Sequence, residues 1–345
     1  MNQVFENISI KAVASCVPKK VISNKEFNSL LTPKEMNTFE KTVGILERRW
    51  VGPEVTSSDL GLKAARLLLS HGEFLSKNIK ALIFLSQTSD YKIPFTSNIL
   101  QSKLGLNADT FCIDINAGCA GFVQGLSISF SLAQTLNDDD LVLLIVSETL
   151  SKILAPSDRS TTMLFGDAGS AILIGKSISK NKSYFNIFSD GSNFESIIIP
   201  DGGFRNMITE KSFLVEKNNT KLNLFMDGSK VFDFTLREIA PSILKLITDN
   251  GIDINSIDYF LLHQSNKFII KQIASQLGIP LDKVLINIEK FGNTSGVTIP
   301  LLMNSFKDKL RASKYTMFTG YGSGLNWGNC VTDLSHTKIM DLIEF

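Results

Sequence analysis

Cys119 is the residue of this sequence best placed to act as a nucleophile. It follows an apolar, strand-like run that ends near Asn116, and a helical pattern begins at Phe122. A thiol at the start of a helix lies near unpaired backbone N–H groups and the positive end of the helix dipole, which favour the thiolate. Its small neighbours Gly118 and Gly121 let a substrate approach closely. A cysteine in this position can accept an acyl group as a thioester.

For every cysteine the alternative is a purely structural role, because free cysteine often packs as a small hydrophobe. We assign that structural role to Cys16, Cys112 and Cys330, since nothing around them indicates activation. Four cysteines scattered over this length do not predict a disulfide scaffold. The three histidines make no paired spacing typical of zinc, so no metal is expected.

Three glycine-rich or strand-ending segments could supply partners for the thiol. His263 ends a predicted strand, where α/β folds collect ligands, although a satisfied core histidine is the alternative. Asn293 lies in the turn Gly292-Asn293-Thr294-Ser295-Gly296, where a helix cap is the alternative. Ser323 lies between alternating glycines, which form a bulge or present a backbone N–H to an oxyanion.

The elements that must position these residues alternate between strand-length apolar runs and helical patterns, which is typical of a layered α/β protein. Helices are predicted to begin after Thr32, with a capping box and a proline, and at Ser57. Further helices are predicted at 227–249, 266–277 and 298–311, and strands at 5–15, 80–87, 109–115, 140–147, 258–263 and 315–320.

The chain is predicted to form two halves. Residues 1–176 carry the cysteine and residues 226–345 carry the histidine and asparagine. The intervening residues, 177–225, are rich in Asn, Ser, Lys and Gly and are predicted to hold variable loops with little regular structure.

Charge and hydropathy exclude several classes of protein. Of the 345 residues, 35 are Lys or Arg and 34 are Asp or Glu, so the net charge of +1 gives no reason to expect binding to nucleic acid or an anionic membrane. No apolar run approaches the roughly 20 residues that span a bilayer. Residues 1–6 do not resemble a signal peptide. We therefore expect a cytoplasmic protein.

Taken together, the segments resemble the β-ketoacyl-acyl carrier protein synthase III family of thiolase-like condensing enzymes, over nearly the whole chain. The matching motifs are Gly44-Ile45-Leu46-Glu47-Arg48-Arg49, residues 114–122, Ser157-Asp158-Arg159, Phe165-Gly166-Asp167-Ala168-Gly169-Ser170-Ala171, Asp190-Gly191-Ser192, His263-Gln264-Ser265-Asn266, Gly292-Asn293-Thr294-Ser295 and Gly322-Ser323-Gly324 before Trp327-Gly328. The resemblance implies a thiolase-like fold whose two similar halves give five layers, αβαβα.

The resemblance also implies a two-step reaction of fatty acid biosynthesis without a bound cofactor. Cys119 would take an acyl group from acyl-coenzyme A, with the backbone N–H groups of Cys119 and Ser323 as oxyanion hole. His263 and Asn293 would then donate hydrogen bonds to a malonyl-acyl carrier protein as it decarboxylates and attacks the acyl group.

The residues implied in coenzyme A or carrier binding are Arg48, Arg159, Asn266 and Lys267. Asp167, in its glycine turn, is assigned to structure. A homodimer is implied, with Ile93-Pro94 near the partner's acyl pocket.

The sequence departs from the family pattern at the sites that hold the donor and the carrier. Thr38 to Gly44 lacks the tryptophan that stacks on the coenzyme A adenine, and Phe268 replaces a carrier-docking arginine. The tail after about residue 332 extends past the usual family end. Two alternatives follow: an acyltransferase that passes the acyl group to a hydroxyl or amine without condensation, and a noncatalytic partner subunit.

Overall fold

A computed structural model of the chain describes residues 1–177, 181–216 and 218–345. Its strands are β1 (Asn2–Glu6), β2 (Ile8–Val17), β3 (Val21–Ser23), β4 (Glu47–Arg49), β5 (Ile79–Leu85), β6 (Phe111–Ile115), β7 (Leu141–Glu148), β8 (Ala168–Lys176), β9 (Lys182–Ser189), β10 (Ile197–Ile198), β11 (Phe225–Met226), β12 (Tyr259–Leu262), β13 (Thr316–Gly322), β14 (Asn326–Thr332), β15 (Lys338–Ile339) and β16 (Ile343–Glu344).

The helices begin largely where capping residues predict them. Thr32 accepts a hydrogen bond from the backbone N–H of Glu35, whose carboxylate accepts from the N–H of Thr32. Asp227 caps the longest helix through the N–H of Lys230. The helices are α1 (Pro33–Thr42), α2 (Ser57–Ser70), α3 (Thr96–Lys103), α4 (Gly121–Thr135), α5 (Gly228–Asp249), α6 (Lys267–Leu277), α7 (Ile288–Phe291), α8 (Thr298–Ser305) and α9 (Lys307–Leu310).

Two large sheets organise the molecule. The first has the strand order β15-β2-β8-β7-β5-β6, with β16 also paired to β2, and the second has the order β1-β9-β14-β13-β12. Strands β5, β6 and β7 are mutually parallel, and so are β12 and β13. Every residue of β7 is buried, as expected for a continuous apolar strand covered on both faces.

The predicted five-layered αβαβα arrangement is confirmed. Helices α4 and α8 lie between the sheets, where α4 contacts β7 and β13 and α8 contacts β2 and β12. Helices α2 and α3 cover the outer face of the first sheet, and α5 and α6 that of the second. Phe122 of α4 and Phe318 of β13 are fully buried with ring centroids 5.5 Å apart. Burial of each ring stabilises this central layer by roughly 1.5–3 kcal/mol.

Three of the predicted elements differ from the structure. The strand predicted over 5–15 is two strands in different sheets, because Asn7 takes a left-handed φ of 60° and redirects the chain. The region predicted as loops, 177–225, holds one full strand: β9 lies within it and pairs on both sides in the second sheet. The helix predicted over 298–311 is interrupted at Phe306, which leaves helical geometry with φ −122° and ψ 28°.

Each end of the chain lies in the sheet formed mainly by the opposite half. Strand β1 belongs to the second sheet, whereas β15 and β16, at the end of the chain, add to β2 in the first. The tail after residue 332 therefore extends a sheet formed mainly by the first half, and the domain boundaries given above stay a prediction. Among the described residues, no helix combines the length and apolar character that crossing a bilayer requires.

Candidate active site

Cys119, His263 and Asn293 open onto one cavity of about 170 Å³. The structure thus brings together three residues that are far apart in the sequence. Most of the remaining wall is apolar, which suits an acyl chain better than a charged ligand. The apolar side chains of this wall are Leu150, Leu164, Phe165, Ile197, Leu224, Met226, Val231, Phe232 and Ile269.

Cys119 lies between the end of β6 and the start of α4. Its Sγ is 3.7 Å from Ser295 Oγ. Burial raises the pKa of the Cys119 thiol to about 12, and the hydrogen bond with Ser295 opposes this only in part. Burial thus acts against the helix N-terminus that is expected to favour the thiolate, and that expectation stays a prediction. In its protonated form the thiol requires a proton acceptor when it reacts.

His263 follows the carboxyl end of β12, and its backbone N–H donates to Thr319 O over 2.8 Å. The ring packs edge-on against Tyr321, and its Nδ1 lies 2.8 Å from Thr298 Oγ1. Burial lowers the pKa of His263 to about 3, against a hydrogen bond with the Ser295 backbone that raises it. The imidazole is therefore neutral at neutral pH.

Asn293 is fixed by its own turn. Its backbone N–H donates to Leu164 O over 2.8 Å, and Gly292 before it has a left-handed φ of 62°, where a Cβ would lie 2.7 Å from Leu164 O. Asn293 Oδ1 accepts the N–H of Ser295 over 2.8 Å. The acceptor of the side-chain amide is thus occupied, and Nδ2 is left to donate.

Gly322 lies directly against the thiol. A Cβ on Gly322 would lie 2.5 Å from Cys119 Cβ and 3.1 Å from its Sγ. The next residue, Ser323, also lines the cavity, but the left-handed φ of this turn belongs to Gly324, at 133°. A serine is therefore compatible with the backbone at position 323.

We expect Gly322→Ala to displace the thiol and to lower Cys119 acylation by at least about 10²-fold, since misplacement of reacting atoms by about 1 Å costs that much. Gly203→Ala is the matched control, because nothing lies within 4 Å of a Cβ there. Acyl-enzyme formation measured by intact mass checks the prediction. Equal acylation rates in the two variants would contradict it.

Two residues of this site were missed by sequence reasoning. Gln87, after β5, lines the cavity and donates from Nε2 to Ser323 Oγ over 3.2 Å. Glu148, at the end of β7, is fully buried and accepts from the Gln87 N–H over 2.9 Å and from Thr88 Oγ1 over 2.6 Å. Burial raises the pKa of Glu148 to about 7. The available signal was that Gln87 follows and Glu148 ends a buried parallel strand, and the carboxyl ends of such strands are where α/β folds collect ligands.

The residues predicted to bind coenzyme A or a carrier lie in different environments. Asn266 lines the cavity and caps α6 by accepting from the Phe268 N–H over 2.8 Å. Lys267 packs its stem against Gly44. Arg159 is 61% exposed in its side chain and forms an ion pair with Glu35 over 3.1 Å.

Arg48 requires a correction. It is fully buried, and its guanidinium donates to Ile22 O, Asn24 Oδ1 and Met163 O. The guanidinium has a structural role, because its N–H groups satisfy these buried oxygens. It cannot reach a ligand at the surface. Asp167 likewise accepts from the N–H groups of Val51 and Ser151, in agreement with a structural role.

Comparison with known proteins gives a consistent result. The family model described as 3-oxoacyl-[acyl-carrier-protein] synthase III matches residues 113–191, and the model of its C-terminal region matches residues 247–334. The β-ketoacyl-[acyl-carrier-protein] synthase III of Clostridium acetobutylicum is 32% identical over 329 residues, covering 95% of this chain and 98% of the relative. That of Streptococcus mutans is also 32% identical, over 94% of this chain and 98% of the relative.

Solved structures agree with the sequence relatives. A 3-oxoacyl-(acyl-carrier protein) synthase from Burkholderia xenovorans LB400 superposes with a TM-score of 0.94 at 34% identity, covering 100% of this chain and 99% of the other. The synthase III from Thermus thermophilus superposes with a TM-score of 0.82 at 30% identity, covering 94% and 98%. Fold, near-complete coverage and identity of 30% or more agree, and this chain belongs to the 3-oxoacyl-[acyl-carrier-protein] synthase III family.

Proposed function

We propose that this chain is a condensing transferase. It loads an acyl group from acyl-coenzyme A onto Cys119 and condenses it with malonyl-acyl carrier protein to give a 3-oxoacyl thioester. The observation that carries the proposal is the shared, mostly apolar cavity onto which Cys119, His263 and Asn293 open. Family membership supports the reaction type, because the relatives carry the name synthase III.

In the first half-reaction, Cys119 Sγ attacks the acyl carbonyl carbon, and the C–S bond to coenzyme A breaks. The negative oxygen of the tetrahedral intermediate is stabilised by the backbone N–H groups of Cys119 and Ser323. The close approach of Gly322 to Cys119 supports this placement, since it brings the β13–β14 turn against the nucleophile. The proton of the neutral thiol must leave as the bond forms.

In the second half-reaction, the malonyl carboxylate leaves as carbon dioxide and its bonding electrons form an enolate. The enolate carbon attacks the acyl carbonyl on Cys119, and the sulfur leaves. Asn293 is suited to stabilise the enolate oxygen, because Ser295 occupies its Oδ1 and leaves Nδ2 to donate. The resemblance implied the same donor role for His263. That role requires the proton of the neutral ring to be on the nitrogen that meets the thioester oxygen.

Coenzyme A and the carrier are proposed to enter past Asn266, which borders the cavity at the start of α6. Arg159 could reach an anionic group of the donor only by leaving Glu35, since the two form an exposed ion pair. An exposed ion pair of this kind contributes little stability, so Arg159 can exchange Glu35 for a phosphate at a small cost in free energy. Lys267, the first residue of α6, is proposed as a weaker contact.

A homodimer is proposed from the free edge of the first sheet. Strand β6 pairs only with β5 among the described residues, and Phe111 on it is 53% exposed. Ile93, shortly before the helix α3 that packs against β6, is 84% exposed. Pairing of two β6 edges would remove an exposed strand edge from each subunit and cover these side chains. Ile93 would then lie near the partner's acyl pocket. A cytoplasmic location stays a prediction.

Intact-mass measurement after incubation with acetyl-, butyryl- and octanoyl-coenzyme A tests the loading step. An acyl adduct is expected on the native chain, and the lengths that load report the depth of the pocket. Carbon dioxide release from malonyl-acyl carrier protein then tests condensation. An adduct that passes to a hydroxyl or amine without carbon dioxide would support the acyltransferase alternative. Absence of any adduct would support a noncatalytic subunit.

A further inference from the structure

The side chains of Gln87 and Ser323 contact each other in the wall of the cavity. Gln87 lies two residues after β5 of the first sheet, and Ser323 lies in the turn between β13 and β14 of the second. Gln87 Nε2 donates to Ser323 Oγ over 3.2 Å. Within residues 1–177, 181–216 and 218–345, neither side chain makes another hydrogen bond. The contact therefore connects segments of different sheets at the site of the proposed chemistry.

Gly118, the residue before the nucleophile, leaves room for this contact. A Cβ on Gly118 would lie 2.8 Å from Gln87 Cδ and 3.1 Å from Ser323 Oγ. Both groups thus pack directly on the backbone of Gly118. The carboxamide and the hydroxyl are therefore held next to the segment that carries Cys119.

The backbone of Gln87 is fixed by a buried carboxyl group. Glu148 Oε1 accepts the Gln87 N–H over 2.9 Å, and Glu148 Oε2 accepts the Thr88 hydroxyl over 2.6 Å. Thr88 Oγ1 in turn accepts the N–H of Thr149 over 2.9 Å. A buried network with satisfied members is rigid. The side chain of Gln87 is exposed, but it starts from a backbone position that this network holds.

The backbone N–H of Ser323 is the group that the contact can orient. It has no hydrogen-bond partner in the part of the chain that the structure describes, whereas Ser323 O accepts from Asn326 Nδ2 over 2.8 Å. Gly322 on one side lies against Cys119, and Gly324 on the other has a φ of 133°. Because two glycines flank it, the Ser323 peptide depends on its own side chain for a further restraint.

We propose that Gln87 is a positioning residue of the oxyanion hole, which holds the Ser323 hydroxyl and so orients the Ser323 N–H toward the acyl oxygen. The inference rests on the proposed function. The acyl oxygen gains negative charge as Cys119 attacks, and a donor stabilises that charge best when it is already aligned. Decarboxylation of the malonyl group is assigned to Asn293. Loss of the Gln87 amide should therefore slow loading and spare decarboxylation.

A double-mutant cycle tests the contact. Gln87→Met keeps the length of the side chain without the amide, and Ser323→Ala removes the hydroxyl. The probe is whichever of acetyl-, butyryl- and octanoyl-coenzyme A loads the native chain fastest. We expect each single variant to slow acylation at saturating donor about tenfold, part of the roughly 10²–10³-fold cost of losing a donor outright. The half-saturating donor concentration should not change, nor should decarboxylation of malonyl-acyl carrier protein measured without an acyl donor.

The double variant should be no slower than either single variant, because both substitutions remove the same contact. Gln276→Met is the matched control, since Gln276 Nε2 donates to Leu236 O over 3.1 Å outside the cavity. That variant should acylate like the native chain. Additive losses in the double variant, or a higher half-saturating concentration with an unchanged maximal rate, would overturn the proposal.

Nitrogen-15 relaxation of the Ser323 backbone amide gives a readout that does not depend on loading. We expect an order parameter near the rigid value of about 0.85 in the native chain and a fall toward about 0.6 in Gln87→Met. An equal order parameter in both chains would contradict the positioning role. If no acyl-coenzyme A loads the native chain, the proposed function fails, while the order parameter still shows whether Gln87 fixes the turn.

Discussion

Cys119→Ser is expected to abolish acyl-enzyme formation and to lower condensation by at least about 10³-fold, the scale on which loss of a nucleophile acts. The buried thiol already has a pKa of about 12, and an alcohol in its place would be a weaker acid and a poorer nucleophile. Decarboxylation of malonyl-acyl carrier protein should persist, because it requires hydrogen-bond donors and not the sulfur. Intact mass and carbon dioxide release measure the two effects separately.

Cys112→Ser is the matched control for this substitution. Cys112 lies on β6 only seven positions earlier, is partly buried and contacts the backbone oxygen of Thr110. The same atom exchange there should leave loading at Cys119 intact. An acyl adduct on the Cys119→Ser chain, or its loss in Cys112→Ser, would show that another residue carries the acyl group.

Asn293→Ala should lower decarboxylation and condensation about 10²–10³-fold, the usual cost of losing one preorganised donor to a developing oxyanion. Acylation of Cys119 should fall by less than about tenfold, since two backbone N–H groups serve that step. Asn293→Asp should be worse than alanine, because a carboxylate keeps the acceptor for the Ser295 N–H but places negative charge beside the enolate.

Asn287→Ala provides the control for loss of a buried asparagine. Its Nδ2 donates to Ser305 Oγ over 2.9 Å, outside the cavity. This variant should lose stability in thermal unfolding without a selective loss of carbon dioxide release. If Asn293→Ala reduced both half-reactions equally, the amide would be part of the framework and not a donor to the enolate.

The layered α/β class and several elements of the first half, but not β3, β4, β8 or α3, were predictable from residue order alone. Local signals sufficed there: the Thr32 capping box starts α1, and the all-apolar run of β7 is buried along its whole length. The motifs around Cys119, His263 and Asn293 also singled out residues that the fold brings to one cavity. Strand β9 was missed because its polar, aromatic-containing sequence resembles a loop until β1 and β14 pair with it.

The roles of individual charged and polar groups were less predictable. Arg48 lies in a motif that suggested ligand binding, but the fold encloses it. Gln87 and Glu148 carry no motif that would mark them, and they reach the site because parallel strands end at the same edge. Burial and hydrogen-bond partners depend on residues distant in the sequence, which residue spacing cannot reveal.

The sequence by itself determined a layered α/β class, because helix caps and apolar periodicity are local. Its resemblance to a known family implied the αβαβα arrangement and which cysteine, histidine and asparagine belong together. Only the tertiary structure decided the protonation of those groups. Burial raises the pKa of the Cys119 thiol and lowers the pKa of the His263 imidazole. Both effects arise from packing between elements that are far apart in the chain, where the local dielectric and the available partners are set.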